Sequence, residues 1–363
     1  MLVDDSPIAC DLIGDELRTA GFQVVTAHSA VELGSAVELH RPDLMLIDVC
    51  MPGPDGFSAV EEVMSTRPTP ILMLTGHSDG ELAALSFRAL ELGALDLVIK
   101  PSLPEDYAAL IESIPLLAEV PVVYRRARRS PGNPPNRSTQ PSNPAGLPLP
   151  MERRSPKPAP APKLGRELLS GLRAVAIATS TGGPGALIKL LKPLPRSFPL
   201  PILLVQHIAP GFDWHLSKWL KNELNLEPIV ACEGLRAKPG QLIIAPCDRH
   251  LRVSSQHTVS LDPGSPVDGH RPSGTILLQS VARAFGSRAL GIVLTGMGRD
   301  GAKGLLAMRE AGALTIAQDS ASAIVDGMPR VARELGAAQR VLAPEQIGSL
   351  LLELADHSKR RVL

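Results

Sequence analysis

Residues 174–183 read Ala174-Val175-Ala176-Ile177-Ala178-Thr179-Ser180-Thr181-Gly182-Gly183, and this stretch decides how the second half of the chain folds. Five uninterrupted apolar residues suit a strand buried on both faces, and the glycines after Ser180 let the backbone turn sharply into a helix. Further apolar runs at residues 202–205, 242–245, 292–294 and 314–317 are separated by helix-like stretches. Strands alternating with helices imply an α/β domain with a doubly wound parallel sheet.

The same pattern precedes it. Short apolar runs at residues 24–25, 44–47, 71–74 and 95–99, with a helix-length stretch at 82–92, predict a second sheet of the same class. Between the two, residues 121–164 hold 12 prolines, one acid and nine bases, and almost no spaced apolar residues. That composition predicts a solvated, partly extended linker. The formal net charge of zero hides a split: residues 1–120 carry 20 acids and 5 bases, and residues 165–363 carry 16 and 23. An acidic domain tethered to a basic one invites electrostatic docking, within the reach that salt screening leaves.

Composition excludes several functions. No run of about 18 apolar residues is present, which argues against membrane insertion. The acids of Met1-Leu2-Val3-Asp4-Asp5 stand where a secretory signal carries bases, so the cytoplasm is expected. Cys10, Cys50, Cys232 and Cys247 form no C-x-x-C pair and suit reduced, mostly buried thiols. Arg125, Arg126, Arg128 and Arg129 offer charge to nucleic acid, but ten aromatic residues in the chain and no reading module point to a solvated linker instead.

In the first domain Asp4-Asp5, Asp48, Thr75 and Lys100 fall at predicted carboxyl ends of strands, where ligands of such sheets collect. Clustered carboxylates suit a hard divalent cation such as Mg²⁺ among Asp4, Asp5 and Asp48. Asp48 could then attack a phosphoryl donor, with Thr75 bonding the transferred group and Lys100 supplying positive charge. Taken singly, Ser6 or Asp5 also reads as a helix cap before Pro7, and Lys100-Pro101 as a surface turn. Together, Val3-Asp4-Asp5-Ser6, Leu46-Ile47-Asp48-Val49-Cys50-Met51-Pro52 with Asp55-Gly56, and Lys100-Pro101 resemble a two-component receiver domain. The resemblance implies that Asp48 is the phosphoacceptor, that Asp4 and Asp5 help hold Mg²⁺, and that Thr75 and Lys100 couple phosphorylation to a surface shift. Only three residues precede the acid pair, short for a central strand, and Leu97 stands where that family commonly has an aromatic switch residue.

In the second domain Ser180, His207 and Asp300 each lie just beyond a predicted strand end. A serine hydroxyl needs a base such as His207, and the imidazole needs a carboxylate such as Asp300 to fix its tautomer. Free N–H groups at the start of the following helix would stabilise an oxyanion. The G-x-S-x-G elbow is incomplete, because Ala178 replaces its first glycine, and the order Ser, His, Asp is not that of an ordinary α/β hydrolase. Taken alone, Ser-Thr-Gly-Gly also reads as a capping turn or phosphate loop.

The joined strings Ser180-Thr181-Gly182-Gly183-Pro184, Gln206-His207-Ile208-Ala209-Pro210-Gly211-Phe212, His270-Arg271-Pro272-Ser273 and Leu294-Thr295-Gly296-Met297-Gly298-Arg299-Asp300-Gly301 resemble the chemotaxis protein-glutamate methylesterase family, CheB. The resemblance implies Ser180 as nucleophile, His207 as general base and acid, Asp300 as orienting carboxylate, and backbone N–H groups of Thr181 and Met297 as oxyanion donors. It implies a phosphorylation-activated hydrolase that releases methanol from glutamate methyl esters of chemoreceptors and deamidates receptor glutamines, with a chemotaxis histidine kinase as phosphodonor. It implies no cofactor for the ester reaction. The domain extents, 1–117 for the first and 168–357 for the second, with 118–167 as linker and 358–363 as tail, are those that the family resemblances of the two halves imply. Ala178-Thr179 and Arg299 depart from that family's commoner Gly-Ala and Asn. His270-Arg271-Pro272 suits either an acidic receptor surface or a buried structural arginine. Trp214 and Trp219 read as packing residues. Open alternatives are a methylesterase outside chemotaxis, a phosphate-responsive adaptor that only binds a modified receptor, and a transcription regulator, the last disfavoured by the absence of a helix-turn-helix pattern.

Overall fold

The computed structural model describes residues 1–53, 55–76, 88–89, 92–120, 122, 171–208 and 212–359. Most of the expected linker, its arginine run and the helix expected at 82–92 (save 88–89 and 92) lie outside the described residues, as do 360–363 of the expected tail.

Each half of the chain builds its own parallel sheet. The first contains β1 (Leu2–Val3), β2 (Thr26–Ala27), β3 (Met45–Asp48), β4 (Ile71–Thr75) and β5 (Asp96–Ile99). They pair throughout in parallel in the order β2-β1-β3-β4-β5. Around it lie α1 (Pro7–Thr19), α2 (Leu33–His40), α3 (Gly56–Thr66) and α4 (Pro104–Ala118). Alternate strand residues feed two cores: Val3, Met45, Ile47, Ile71 and Met73 on one face, and Leu2, Leu46, Leu72 and Leu74 on the other. Burial on both faces explains the uninterrupted apolar runs. The chain reverses its direction of winding between β1 and β3, which makes their carboxyl ends the switch-point crevice. β1 is only two residues long, but both are fully buried and paired on each side. The second strand begins two residues later than the expected 24–25, because Thr26 and Ala27 are the residues in register with Leu2 and Val3.

The second sheet has seven parallel strands: β6 (Ala174–Thr179), β7 (Ile202–Gln206), β8 (Glu227–Val230), β9 (Gln241–Ile244), β12 (Ala289–Val293), β13 (Leu314–Gln318) and β14 (Arg340–Leu342). A separate antiparallel pair is formed by β10 (His250–Val253) and β11 (Val259–Asp262). The order β14-β13-β12-β6-β7-β9-β8 places the reversal between β6 and β12. Helices α5 (Gly183–Leu191), α6 (Asp213–Glu223) and α10 (Pro344–Lys359) contribute Leu187, Leu216 and Leu350 to the core that also receives Val175, Ile177, Leu204 and Ile292. The opposite face receives Ala174, Ala176 and Ala178 together with α7 (Gly274–Phe285), α8 (Ala302–Glu310) and α9 (Met328–Glu334). Three alanines in alternate positions leave room for α7 to lie close against β6. A Cβ at Gly274 would sit 2.5 Å from the Ala178 methyl.

Three sequence expectations change. β8 and β14 have no counterpart among the expected strands: they are the sheet edges, and β8 carries Pro228, which a central strand would not accept. Of the four cysteines only Cys10 is buried, while Cys50 and Cys232 are exposed. Trp219 packs against the core, but Trp214 is 60% exposed, with the Lys218 ammonium over its ring. Among the described residues no helix is long and apolar enough to cross a membrane.

Ile292 is fully buried in central β12. Ile292→Ala should lower unfolding free energy by about 2–5 kcal/mol in a urea titration; an unchanged midpoint would show that this strand is not part of the stabilising core.

Candidate functional sites and family

The first crevice gathers the residues expected there. Ligand oxygens of Asp4, Asp5 and Asp48 lie within 4.8 Å of one another, with Asp4 and Asp48 buried and Asp5 exposed. The Lys100 ammonium lies 2.7 Å from Asp4 Oδ2 and 3.2 Å from Asp48 Oδ1. Burial and the neighbouring Asp4 carboxylate push the Asp48 carboxyl upward, which Lys100 partly offsets. Burial alone would lower the Lys100 ammonium, but its bonds to both carboxylates raise it. Thr75, fully buried, ends β4 one residue beyond the partner of Asp48, and its carbonyl accepts the Lys100 N–H at 2.7 Å. An all-oxygen, carboxylate-rich donor set fits a hard divalent cation. Ser6 does cap α1, accepting the Ala9 N–H, so its structural reading stands beside the cluster's chemistry.

The second crevice is organised around Asp300, which is completely buried. Its Oδ2 accepts from His207 Nε2 at 2.9 Å and from the Gly274 N–H at 2.6 Å. Its Oδ1 accepts from the Ser273 hydroxyl at 2.7 Å and from the Thr275 N–H at 3.0 Å. Burial alone would raise the Asp300 carboxyl; these donors, His207 foremost, outweigh it and hold the group well below the usual carboxylate range. With Nε2–H committed to Asp300, Nδ1 is the ring nitrogen with a lone pair, and it is buried without a hydrogen-bond partner.

Ser180 is half-buried at the end of β6, its N–H donated to the Thr295 carbonyl at 3.0 Å. The chain then turns through Gly182, whose φ of 76° favours glycine, into α5. Gly296 backs the serine, since a Cβ there would lie 2.7 Å from Ser180 Cβ. The turns carrying Thr181 and Met297 are therefore neighbours, and the Thr295 hydroxyl ties them by donating to the Thr181 carbonyl at 2.9 Å.

Sequence reasoning missed several contributors. Gln206, buried at the end of β7, donates from Nε2 to the carbonyls of Ser180 and His207 at 2.9 and 3.0 Å, fastening the two turns together. The donors Ser273, Gly274 and Thr275 come from the start of α7, within and just beyond the His270-Arg271-Pro272-Ser273 string. Arg271, its side chain 31% exposed, donates to the carbonyls of Pro263 and Gly264. His250 is structural, bonded to Ser265 and Ser273.

The two halves also meet. Asp96 of β5 shares a side-chain hydrogen bond with Thr181, and burial pushes its carboxyl up to about 6 against the lowering effect of the bonds from Leu97 and Thr181. Val98 shares an apolar cluster with Met297, Ile324 and Val325. Leu97 shares another with Ile208 and Phe212, so an interdomain apolar contact occupies the position of the aromatic switch residue.

A sheet with this switch-point cluster, followed by a second doubly wound sheet with Ser180, His207 and Asp300 at its crevice, has the make-up of a receiver domain joined to a hydrolase domain. The chain matches the family model for CheB methylesterase over residues 175–351 and that for the response regulator receiver domain over 1–112. It is 38% identical over 97% of both chains to protein-glutamate methylesterase/protein-glutamine glutaminase 3 of Anaeromyxobacter dehalogenans. It is 40% identical to protein-glutamate methylesterase FrzG of Myxococcus xanthus, over 88% of this chain and 87% of that protein. The crystal structure of the Thermotoga maritima CheB methylesterase catalytic domain is 37% identical and covers 50% of this chain and 98% of that domain, with a TM-score of 0.48. The chain belongs to the CheB protein-glutamate methylesterase family.

Because the folded Asp300 carboxyl is depressed, its stabilising contribution is complete above the unfolded value of about 3.9 and is lost as pH falls through the lower folded value. The stability gap between wild type and Asp300→Asn should therefore narrow as pH falls below about 3.9 in urea titrations. A gap that stays constant or widens as pH falls below about 3.9 would contradict the assignment.

Proposed function

We propose that the chain is a cytoplasmic, phosphorylation-activated esterase acting on glutamate methyl esters of chemoreceptors, with a chemotaxis histidine kinase as the source of its phosphoryl group. The observation that carries the catalytic assignment is the buried Asp300–His207 pair, with Nδ1 of His207 unpartnered and Ser180 on the adjoining strand end.

Ser180 Oγ attacks the ester carbonyl carbon as His207 Nδ1 takes its proton. The imidazolium that forms is stabilised by ionised Asp300, whose four donors keep it charged. The carbonyl oxygen becomes an oxyanion, held by the backbone N–H groups of Thr181 and Met297. Collapse expels methoxide, which takes the proton from His207 and leaves as methanol. Water then attacks the glutamyl-serine ester, gives its proton to His207, and releases the carboxylate and Ser180. A glutamine amide follows the same route, with ammonia leaving.

In the first domain Asp48 accepts the phosphoryl group. A Mg²⁺ ion held by Asp4, Asp5 and Asp48 would neutralise charge on the transferred group. Lys100 must leave its ion pairs with Asp4 and Asp48 to bind the phosphoryl oxygens. Thr75 bonds the phosphoryl group from the neighbouring strand. Lys100 directly follows β5, the strand whose Asp96 and Val98 meet the second domain, so a shift at Lys100 is transmitted to the contact over Thr181 and Met297. The closed arrangement is the inactive one, and phosphorylation favours opening.

Methanol release from methylated chemoreceptor tests this reading. Wild type should be stimulated by Mg²⁺ with a small phosphodonor, Asp48→Asn should not respond, and Ser180→Ala should fall at least about 10³-fold. Release that survives Ser180→Ala would remove the serine mechanism, and equal stimulation of Asp48→Asn would remove the switch.

The interdomain contact adds a pH prediction. Asp96 is raised to about 6 in the closed arrangement, so closure is most favoured at low pH and weakens as pH rises through about 6. The ratio of unphosphorylated wild-type activity to that of Asp96→Asn should increase from pH 5 to 7.5. A constant ratio would show that Asp96 does not govern closure.

A further inference from the structure

The imidazole of His270 lies flat against that of His207, with ring centroids 3.8 Å apart and planes inclined by 9°. His270 immediately precedes Arg271, Pro272 and Ser273, and this short run is anchored at both ends. Arg271 is bonded to the carbonyls of Pro263 and Gly264, while Ser273 donates to Asp300 and caps α7. The run that supplies Asp300's donors thus also delivers a ring to one face of the base. The charged groups acting on the pair are Asp300, hydrogen-bonded to His207, and Asp268, two residues before His270.

We infer that His270 is a positioning residue for the ester hydrolysis, a neutral aromatic wall that fixes the ring plane of His207 so that Nε2 stays on Asp300 and Nδ1 stays available for Ser180. Its role rests on the esterase reading above.

A histidine has broad freedom about χ2, and one hydrogen bond to Asp300 leaves the ring able to rock about that bond. A parallel ring at stacking distance removes that motion at no charge cost, provided it stays neutral while His207 becomes cationic. Burial, and then the neighbouring His207, pull His270 down to about 4 against the raising effect of Asp300 and Asp268. His270 therefore remains uncharged when the base takes its proton, and its ring face offers electron density to the imidazolium. A cation at the same place would oppose that step.

The test uses the full-length protein with Mg²⁺ and a small phosphodonor, and methylated receptor as substrate. His270→Ala should lower kcat about tenfold, the order that a well-placed aromatic pair contributes, with KM within about twofold of wild type. His270→Phe, which keeps the ring face and discards the nitrogens, should recover kcat to within about threefold. His270→Arg should move the acid limb of the kcat profile to lower pH, because a fixed positive charge disfavours a cationic His207. A wild-type kcat in His270→Ala would overturn the inference. Equal slowness in His270→Phe and His270→Ala would overturn it too, by showing that an imidazole nitrogen rather than the ring face is needed.

A second readout needs no substrate. The downfield NMR signal of the His207 Nε2 proton should persist in wild type and His270→Phe and be lost to exchange in His270→Ala. Its persistence in His270→Ala would overturn the positioning role whatever the activity. A wild type with the signal intact but no Ser180-dependent methanol release would instead overturn the esterase reading.

Discussion

A buried, ionised carboxylate is tolerable only when its lone pairs are filled, and Asp300 meets that condition with four donors drawn from two places in the chain, His207 and the run 273–275. The approach of α7 to β6, made possible by Ala178 against Gly274, brings the Gly274 and Thr275 N–H groups to the carboxylate. Removing any donor leaves part of that charge uncompensated. The helix start, the histidine ring and the strand ends are thereby held in one arrangement, and the base's tautomer follows from it.

The two domains solve the same architectural problem with different chemistry. Each sheet reverses its winding beside a central strand, β1 in the first and β6 in the second, and each reversal opens a crevice at the carboxyl ends. In the first the crevice collects three carboxylates and an ammonium; in the second it collects a hydroxyl, an imidazole and a single carboxylate. β5 joins them physically, because its carboxyl end leads to Lys100 while Asp96 bonds to Thr181, and Leu97 and Val98 share apolar clusters with second-domain residues. Coupling across the molecule thus needs only a short element with two positions, one for each state of the phosphate site.

Much of this was legible in the sequence. Runs such as those at 174–178 and 71–74 announce strands buried on both faces, and polar residues at their ends mark the crevice. What stayed hidden had specific causes. Pro228 and the alternating residues of β10 and β11 carry no continuous apolar signal, so edge and hairpin strands escaped notice. Two of the four donors to Asp300 are backbone N–H groups, which every sequence possesses and none advertises. His270 and Arg271 were visible as a string, but the division of labour between them, one stacked on the base and the other bonded to carbonyls, depends on how the run enters α7. Asp96 reads as an ordinary acid until the second domain is laid against it.

The proposed mechanism depends on Ser180 being the nucleophile and on the first domain covering it until Asp48 is phosphorylated. The most direct measurement is the rate at which a serine-reactive fluorophosphonate labels the full-length protein, with the site located by peptide mass spectrometry. Label should appear on the Ser180 peptide, and faster when Mg²⁺ and a phosphodonor are present. Label on another serine, or labelling of Ser180 at one rate in both conditions, would contradict that mechanism.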